Sequence, residues 1–83
     1  MRIVENKTKR ARVVEYFGAI LHVSHRFNWV ATDSAGAVYG YEGEPRMRSG
    51  GSDIWLDFTS DVYEELGTAD LQDTDWKDTL VKV

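Results

Sequence analysis

The stretch NWVATDSAGAVYGYEGEP, residues 28–45, constrains the fold most, because aromatic and small residues alternate on both sides of a short polar turn. Asp33 can accept the amides of that turn, and Gly36 can take the left-handed conformation of a glycine bulge. The sequence therefore predicts an antiparallel hairpin. Its pairs are Asp33 with Ala37, Thr32 with Val38, Ala31 with Tyr39, Val30 with Gly40 and Trp29 with Tyr41.

One face of this hairpin is aromatic and the other carries small residues, so both faces can be covered by other elements. Trp29 and Tyr41 are expected to be largely buried, and Gly40 leaves room opposite Val30 for a covering element. Cross-strand aromatic pairs stabilise a sheet by roughly 0.2–1 kcal/mol each. Packing alone can therefore explain the aromatic residues, and the hairpin is predicted to be central to its sheet.

A second hairpin is predicted upstream, in RVVEYFGAILHV, residues 12–23. Gly18 fits the first central position of a type II′ turn that begins at Phe17 and ends at Ile20. The pairs that follow are Tyr16 with Leu21 and Val14 with Val23 on one face, and Glu15 with His22 and Val13 with Ser24 on the other. The first face is predicted to be the core face.

The segment GEPRMRSGGS, Gly43 to Ser52, is predicted to be a mobile loop, because Pro45 and three glycines interrupt any regular element. The alternating stretch DIWLDF then predicts another strand. Its two sides are Ile54, Leu56 and Phe58 on one, and Trp55 and Asp57 on the other. This alternation leaves Trp55 without an evident structural role.

The segment TSDVYEELG, residues 59–67, allows two interpretations. Ser60 can cap a short helix that ends at Gly67, or VYEEL can continue as an edge strand. In the tail, Trp76 and Leu80 are four residues apart and predict a helical turn that returns both side chains to the core.

Together these segments predict an α+β, strand-rich fold, with a single antiparallel sheet of about four or five strands. One or two short helical segments are expected near the C-terminus. The whole chain, residues 1–83, is predicted to be a single domain in which residues 1–10 form a candidate flexible arm and residues 43–52 the mobile loop.

Patterns that carry catalysis or bind metals are missing from the sequence. Cysteine is absent, so neither a disulfide framework nor a thiolate zinc site can form. His22 and His25 point to opposite faces of a strand and cannot share a metal ion. Neither Ser24 nor Ser34 lies in a nucleophile motif, and there is no GxxxxGK[ST] phosphate loop. We therefore predict that the chain is not an enzyme and needs no cofactor or metal.

Charge is distributed unevenly along the chain. Residues 1–12 carry five bases and one acid, whereas Asp53 to Asp78 contains nine acids and one base. The net charge of −4 argues against direct nucleic-acid binding. No apolar run approaches the roughly 20 residues of a membrane-spanning helix, and the N-terminal residues lack a secretory signal. A cytoplasmic protein without a membrane partner is therefore expected.

If the chain acts by binding, its candidate protein-binding residues are Arg46, Met47, Arg48, Trp55 and Asp57. Trp and Arg dominate the energetics of many interfaces, and Met adapts its shape to a partner. The alternative is that Trp55 packs on the second face of the sheet and that the arginines are simply solvated.

Two other functions also remain open. In the first, a group of acids mimics the DNA backbone and inhibits a nucleic-acid-binding host protein. These acids are Asp61, Glu64, Glu65 and Asp70. In the second, the chain is an oligomeric sponge for a nucleotide-like ligand, in which Arg46 and Arg48 pair with phosphate. The aromatic residues that stack on the base are then Tyr39, Tyr41 and Trp55.

The motif WxAxDxxGxVYxYxxxP, from Trp29 to Pro45, and the tail DWxxTL, from Asp75 to Leu80, resemble those of a group of small tailed-bacteriophage proteins. The resemblance covers most of the chain and assigns no catalytic residue. It implies a phage-encoded protein in the cytoplasm of the infected bacterial host. Such a protein inhibits or redirects a host protein, in anti-defence or host takeover, by occupying its surface without catalysis.

Overall fold

The computed structural model describes residues 1–5, 12–47 and 54–83. These residues form nine β-strands and a single short 3-10 turn at Trp76–Asp78. The strands are β1 (Arg2–Glu5), β2 (Arg12–Tyr16), β3 (Ala19–Val23), β4 (Trp29–Thr32), β5 (Ala37–Tyr41), β6 (Arg46–Met47), β7 (Trp55–Leu56), β8 (Tyr63–Asp70) and β9 (Val81–Lys82). Within these ranges no helix has the length and apolar character needed to cross a membrane.

Five strands form one antiparallel sheet in the order β1-β8-β5-β4-β9, which curls into a half-barrel. Two short sheets accompany it, the hairpin β2–β3 and the pair β6–β7. Alternation along the central strands gives the large sheet two faces, and different elements cover them. We call them the hairpin face, which carries Val30, Val38 and Leu66, and the pocket face, which carries Ala31, Tyr39 and Tyr41.

The hairpin face is closed by the β2–β3 hairpin. Tyr16, Leu21 and Val23 project from that hairpin and form a single buried cluster with the three residues of the hairpin face. Arg12 adds polar contacts at one end, because its guanidinium donates hydrogen bonds to the carbonyl oxygens of Phe27 and Val83.

The Tyr16 phenol connects the β2–β3 hairpin to the C-terminal segment through hydrogen bonds. It donates to the carbonyl oxygen of Thr79 over 2.8 Å and lies 2.9 Å from the hydroxyl of Thr32, which must therefore be the donor in their hydrogen bond. The Thr79 hydroxyl also accepts the Thr32 amide over 2.9 Å. Burial raises the pKa of Tyr16, against the lowering effect of these hydrogen bonds, so the phenol remains protonated.

The β4–β5 hairpin has the predicted register throughout, including Trp29 opposite Tyr41. Its turn also has the predicted chemistry, since the Asp33 side chain accepts the amides of Ala35 and Ala37 and Gly36 has a φ of 88°. Tyr41 is buried as expected, but Trp29 is only half-buried.

Gly40 has the predicted role on the hairpin face. The ring of Phe27 lies directly over it, and a Cβ at residue 40 would lie 3.1 Å from that ring. Phe27 itself is 2% exposed and was not identified as a core residue, because no alternating pattern surrounds it.

The β2–β3 hairpin confirms the predicted core face but not the predicted register. Tyr16 lies opposite Ala19 and Val14 opposite Leu21. The two turn residues are Phe17 and Gly18, with φ values of 49° and 79°, so the turn occurs one residue earlier than predicted. Moving a turn by one residue shifts the pairing by two, which leaves every side chain on its original face.

The predicted fold class is wrong in its helical part. Residues 63–70 form the long strand β8, which lies between β1 and β5 as an inner strand of the sheet. Ser60 therefore caps no helix. Gly67 does not end one either, because it lies within β8, where a Cβ would collide with the carbonyl oxygen of Val4 in β1. Strand pairing on both sides supplies more hydrogen bonds than a short capped helix could.

The tail also lacks a helix, since Trp76–Asp78 is a single 3-10 turn capped by the side chain of Asp75. Trp76 and Leu80 nevertheless return to the core, where they pack against the cluster of Ala31, Tyr41 and Trp55. The prediction of one single sheet is wrong as well, because β2–β3 and β6–β7 pair separately from the five main strands.

Two predicted segments fall partly outside the described residues. In the loop of residues 43–52, the Gly43 amide bonds to Asp57, Pro45 is buried and β6 pairs with β7, whereas residues 48–52 lie outside the described ranges. In the arm of residues 1–10, β1 pairs with β8, and residues 6–10 lie outside those ranges.

Candidate binding pocket

A cavity of about 280 Å³ opens on the pocket face. Three parts of the chain contribute to its walls: the β4–β5 hairpin, the segment that runs through β7 and on to residue 61, and the start of β8. The described residues that line it are Asp33, Tyr39, Tyr41, Ile54, Trp55, Leu56, Asp57, Ser60, Asp61 and Tyr63.

Aromatic rings form one wall of the pocket. Tyr39, Tyr41 and Tyr63 make a triangle in which the ring centroids are 6.2, 5.8 and 6.4 Å apart. Tyr39 and Tyr41 lie two residues apart on β5 and therefore share a face, and Tyr41 pairs with Tyr63 on the neighbouring strand β8. Tyr41 is buried, while Tyr63 is 61% exposed and stands at the edge.

Trp55 lies beneath these rings as part of the core. It is 6% exposed, its indole Nε1 donates to the carbonyl oxygen of Thr32 over 3.0 Å, and its ring meets Trp76 edge-to-face at 6.0 Å. Of the two interpretations of Trp55, the structure has the one in which this residue packs on the second face of the sheet. Ile54 and Phe58 are exposed instead.

Asp33 contributes a nearly buried carboxylate, with only 9% of the residue exposed. Its Oδ1 accepts the amides of Ala35 and Ala37, each over 3.0 Å. Among the described residues, none donates a hydrogen bond to Oδ2. The turn thus holds the carboxylate in place in the wall of the pocket.

Asp57 is fixed by its own hydrogen bonds. Its Oδ2 accepts the Gly43 amide over 2.8 Å, and its Oδ1 accepts the amide and the hydroxyl of Thr59 over 2.9 and 2.7 Å. Burial acts to raise the pKa of Asp57, but these hydrogen bonds and one from the Ser60 backbone outweigh it and hold the pKa below its usual range. The carboxylate is therefore ionised at neutral pH.

The electrostatic potential in the pocket is negative. Burial raises the pKa of Tyr39, and the charges of Glu65 and Asp33 raise it further. Burial and the charge of Asp33 also raise the pKa of Tyr41. Both phenols therefore stay neutral, and three of the described lining residues are aspartates while none is Lys, Arg or His.

The structure distributes the predicted protein-binding residues over different environments. Arg46 and Met47 are exposed on β6, where Met47 pairs with Trp55, and neither lines the pocket. Trp55 and Asp57 do line it, but both have structural contacts. Arg48 lies outside the described residues.

The four acids of the DNA-mimic hypothesis are all exposed but do not lie on one face. Asp61 lines the pocket, and Glu65 pairs with Tyr39 on the same side of the sheet. Glu64 is on the opposite side, opposite Gly40, and Asp70 lies at the far end of β8 opposite Arg2. The strand therefore separates charges that are adjacent in the sequence.

The two histidines do not contribute to the pocket. His22 Nδ1 lies 2.9 Å from Glu5, whose carboxylate also accepts the His22 amide, and His25 is exposed. In the part of the chain that the structure describes, no three His, Asp or Glu side chains converge on a point where a metal ion could be held.

Comparisons with family models, with curated proteins and with solved structures find no match. The pocket must therefore be interpreted from its own chemistry. Sequence reasoning missed Asp33 and Tyr63 as parts of it. Asp33 was recognised only for its role in the turn. Tyr63 could have been found from the strand interpretation of its segment, because Tyr63 and Glu65 are two residues apart and would then share a face, as Tyr39 and Tyr41 do on β5.

Proposed function

We propose that this chain is a non-catalytic binding protein that acts by occupying the surface of a partner protein, and that it does so with the side of the molecule that contains the pocket. One observation carries the proposal. Four large apolar side chains are exposed in or beside the segments that line the pocket: Met47, Ile54, Phe58 and Tyr63, with exposed fractions of 41–66%.

Such a surface has the composition of an interface. Aromatic residues and Met are enriched where proteins bind one another. The buried Trp55 and Tyr41 keep the floor of the pocket in place, so that the exposed side chains stand on a preorganised surface.

The resemblance to small tailed-bacteriophage proteins suggests the kind of partner. We propose a bacterial host protein in the cytoplasm of the infected cell, which the chain inhibits or redirects. Masking a surface requires no catalytic group, so this function agrees with the chemistry of the described residues.

The two other hypotheses receive less support from the geometry. The carboxylates that line the pocket repel phosphate, and its volume is below the roughly 300–1,000 Å³ of typical small-molecule sites, which disfavours a nucleotide there. The separation of Glu64 from Glu65 on opposite sides of β8 disfavours a continuous row of charges like that of DNA.

Affinity capture from bacterial lysate, with two matched baits, tests the proposal. Ile54→Ala removes an apolar side chain at the pocket, and Ile20→Ala makes the same change on the outer side of the β2–β3 hairpin, where Ile20 is 55% exposed. We expect the wild-type and Ile20→Ala baits to retain one partner in stoichiometric amount, and the Ile54→Ala bait to retain at least about fivefold less. Failure of the wild-type bait to capture a stoichiometric partner, or an equal loss with both variants, would contradict the proposal.

A further inference from the structure

We propose that the pocket receives an arginine side chain of the partner protein. This inference rests on the proposed function, because it specifies what the pocket side recognises. It follows from the size of the cavity, its charge, the chemistry of its walls and the requirements of a guanidinium group.

The size of the cavity suits a single side chain. At about 280 Å³ it is smaller than the sites that enclose drug-sized molecules, roughly 300–1,000 Å³. It is open to solvent through exposed residues such as Tyr63 and Asp61, so a side chain that protrudes from another protein can enter it.

The charge of the cavity selects a cation. Asp33, Asp57 and Asp61 line it from two separate segments, and no described lining residue carries a positive charge. Asp57 is held ionised by its hydrogen bonds, and the negative field extends to the tyrosines of the wall. A cationic ligand would offset the repulsion between these negative charges, whereas an anion would add to it.

Asp33 provides a fixed acceptor in the wall of the cavity. Its Oδ1 accepts the amides of Ala35 and Ala37, and these bonds hold the carboxylate in one position. The side chain is nearly buried and lines the cavity, so an N–H group of a ligand can donate to it there.

The aromatic wall complements a cation as well. A cation is attracted to the face of a Tyr or Trp ring when it lies within about 6 Å of the centroid. Tyr39, Tyr41 and Tyr63 form such an aromatic wall, with ring centroids 5.8–6.4 Å apart. The same sheet already contains such a contact, since the Lys82 ammonium lies 5.9 Å from the centroid of the Trp29 ring.

Arginine matches the carboxylates and aromatic rings of this cavity better than lysine does. Its planar guanidinium stacks on aromatic rings, offers five N–H donors in a fixed geometry and is less strongly hydrated than an ammonium group. Carboxylates from two separate segments line the cavity, and one guanidinium has enough N–H groups to donate to more than one of them. The lysine ammonium group is a compact charge that retains its hydration, and it cannot stack on the flat aromatic rings.

The experiment is an NMR titration of the purified protein with the neutral-ended derivative N-acetyl-arginine N′-methylamide, followed through the Trp55 indole N–H signal. The matched neutral probe is N-acetyl-citrulline N′-methylamide, which has nearly the same shape without the charge. We expect saturable shifts with the arginine derivative, with a Kd on the order of 1–10 mM, and none with citrulline. The lysine derivative should bind at least about threefold more weakly.

Two pairs of variants locate the site. Asp61→Asn should weaken arginine binding about threefold, while Asp73→Asn, which makes the same change at an exposed acid outside the pocket, should leave it unchanged. Tyr63→Leu should also weaken binding, whereas Phe58→Leu should not, because Phe58 does not line the cavity. Thermal melts confirm that each variant is folded.

Absence of saturation with arginine, equal binding of citrulline or lysine, or no effect of either Asp61→Asn or Tyr63→Leu would overturn the inference. Its failure can be told apart from that of the proposed function. If the bait captures a partner through Ile54 but the arginine probe does not bind, only the arginine pocket is wrong. If the probe binds and no partner is captured, only the masking function is wrong.

Discussion

The two faces of the central sheet are built from the same strands but differ in how completely they are covered. On the hairpin face, side chains such as Leu21 and Val38 are fully buried against one another. On the pocket face, Tyr41 and Trp55 are buried, while Tyr63 and Ile54 above them remain exposed around a cavity. The difference shows that one face is fully packed, while the other combines a buried floor with an exposed layer around the cavity.

The largest expected effect tests whether that floor belongs to the core. Trp55→Ala should lower the free energy of unfolding by about 4 kcal/mol, because it removes a large buried ring and the hydrogen bond from Nε1 to Thr32. Trp29→Ala, at a half-buried residue, should cost clearly less. Chemical denaturation of both variants measures the two values, and a greater loss for Trp29→Ala would contradict the division of the pocket face into a buried floor and an exposed layer.

The hairpin face should respond almost as strongly. Leu21→Ala should cost about 3 kcal/mol, because Leu21 is completely buried between the hairpin and the sheet. The neighbouring Ile20→Ala should change the free energy of unfolding by no more than about 0.5 kcal/mol, since Ile20 points outward. Similar values for the two variants in urea denaturation would show that the β2–β3 hairpin does not pack as described.

A smaller effect should depend on pH through Asp57. Because the folded-state pKa of Asp57 lies below its unfolded value, ionisation of this residue stabilises the fold above the unfolded pKa of about 3.9, and that contribution is lost as the pH falls through the folded-state pKa. Wild type should therefore be more stable than Asp57→Asn at neutral pH, with a difference that shrinks below about pH 4. Urea denaturation across this pH range gives the comparison, and a difference that stays constant would show that the charge of Asp57 makes no contribution.

The smallest effect on stability is expected at the exposed layer itself. Tyr63→Leu should change the free energy of unfolding by less than about 0.5 kcal/mol, because Tyr63 is largely exposed and the floor beneath it is unchanged. Its effect should fall on binding instead. A loss of stability comparable to that of Leu21→Ala would remove the distinction between the two faces.

Turn chemistry explains why one hairpin was predicted in full and the other only in part. Around Asp33 and Gly36, a side-chain acceptor and a left-handed glycine together fix a single turn, and hence the register. Gly18 is compatible with two turns, and the structure uses the one in which Phe17 also has a positive φ. The alternation of apolar residues fixed the face in both cases, because a shift of two residues preserves it.

Long-range pairing explains most of what the sequence did not reveal. Residues 59–67 are compatible by local rules with a short capped helix and with a strand, and the choice depends on β1 and β5, which pair with β8 and lie far away in the chain. The burial of Trp55 likewise depends on contacts with Thr32 and Trp76. The candidate pocket combines the β4–β5 hairpin with residues 54–63, which lie far from it in the chain, so no local pattern could have outlined it.

The most direct measurement of the central claim compares two phenylalanines, one on each side of the molecule. Phe58 lies between Asp57 and Ser60, which line the pocket, and is 66% exposed, while Phe17 lies at the β2–β3 turn and is 42% exposed. Hydroxyl-radical footprinting of the captured complex and of the free protein gives the oxidation rate of each ring. We predict that Phe58 is protected in the complex and that Phe17 reacts at its free rate; protection of Phe17 with unchanged oxidation of Phe58 would contradict the assignment of recognition to the pocket side.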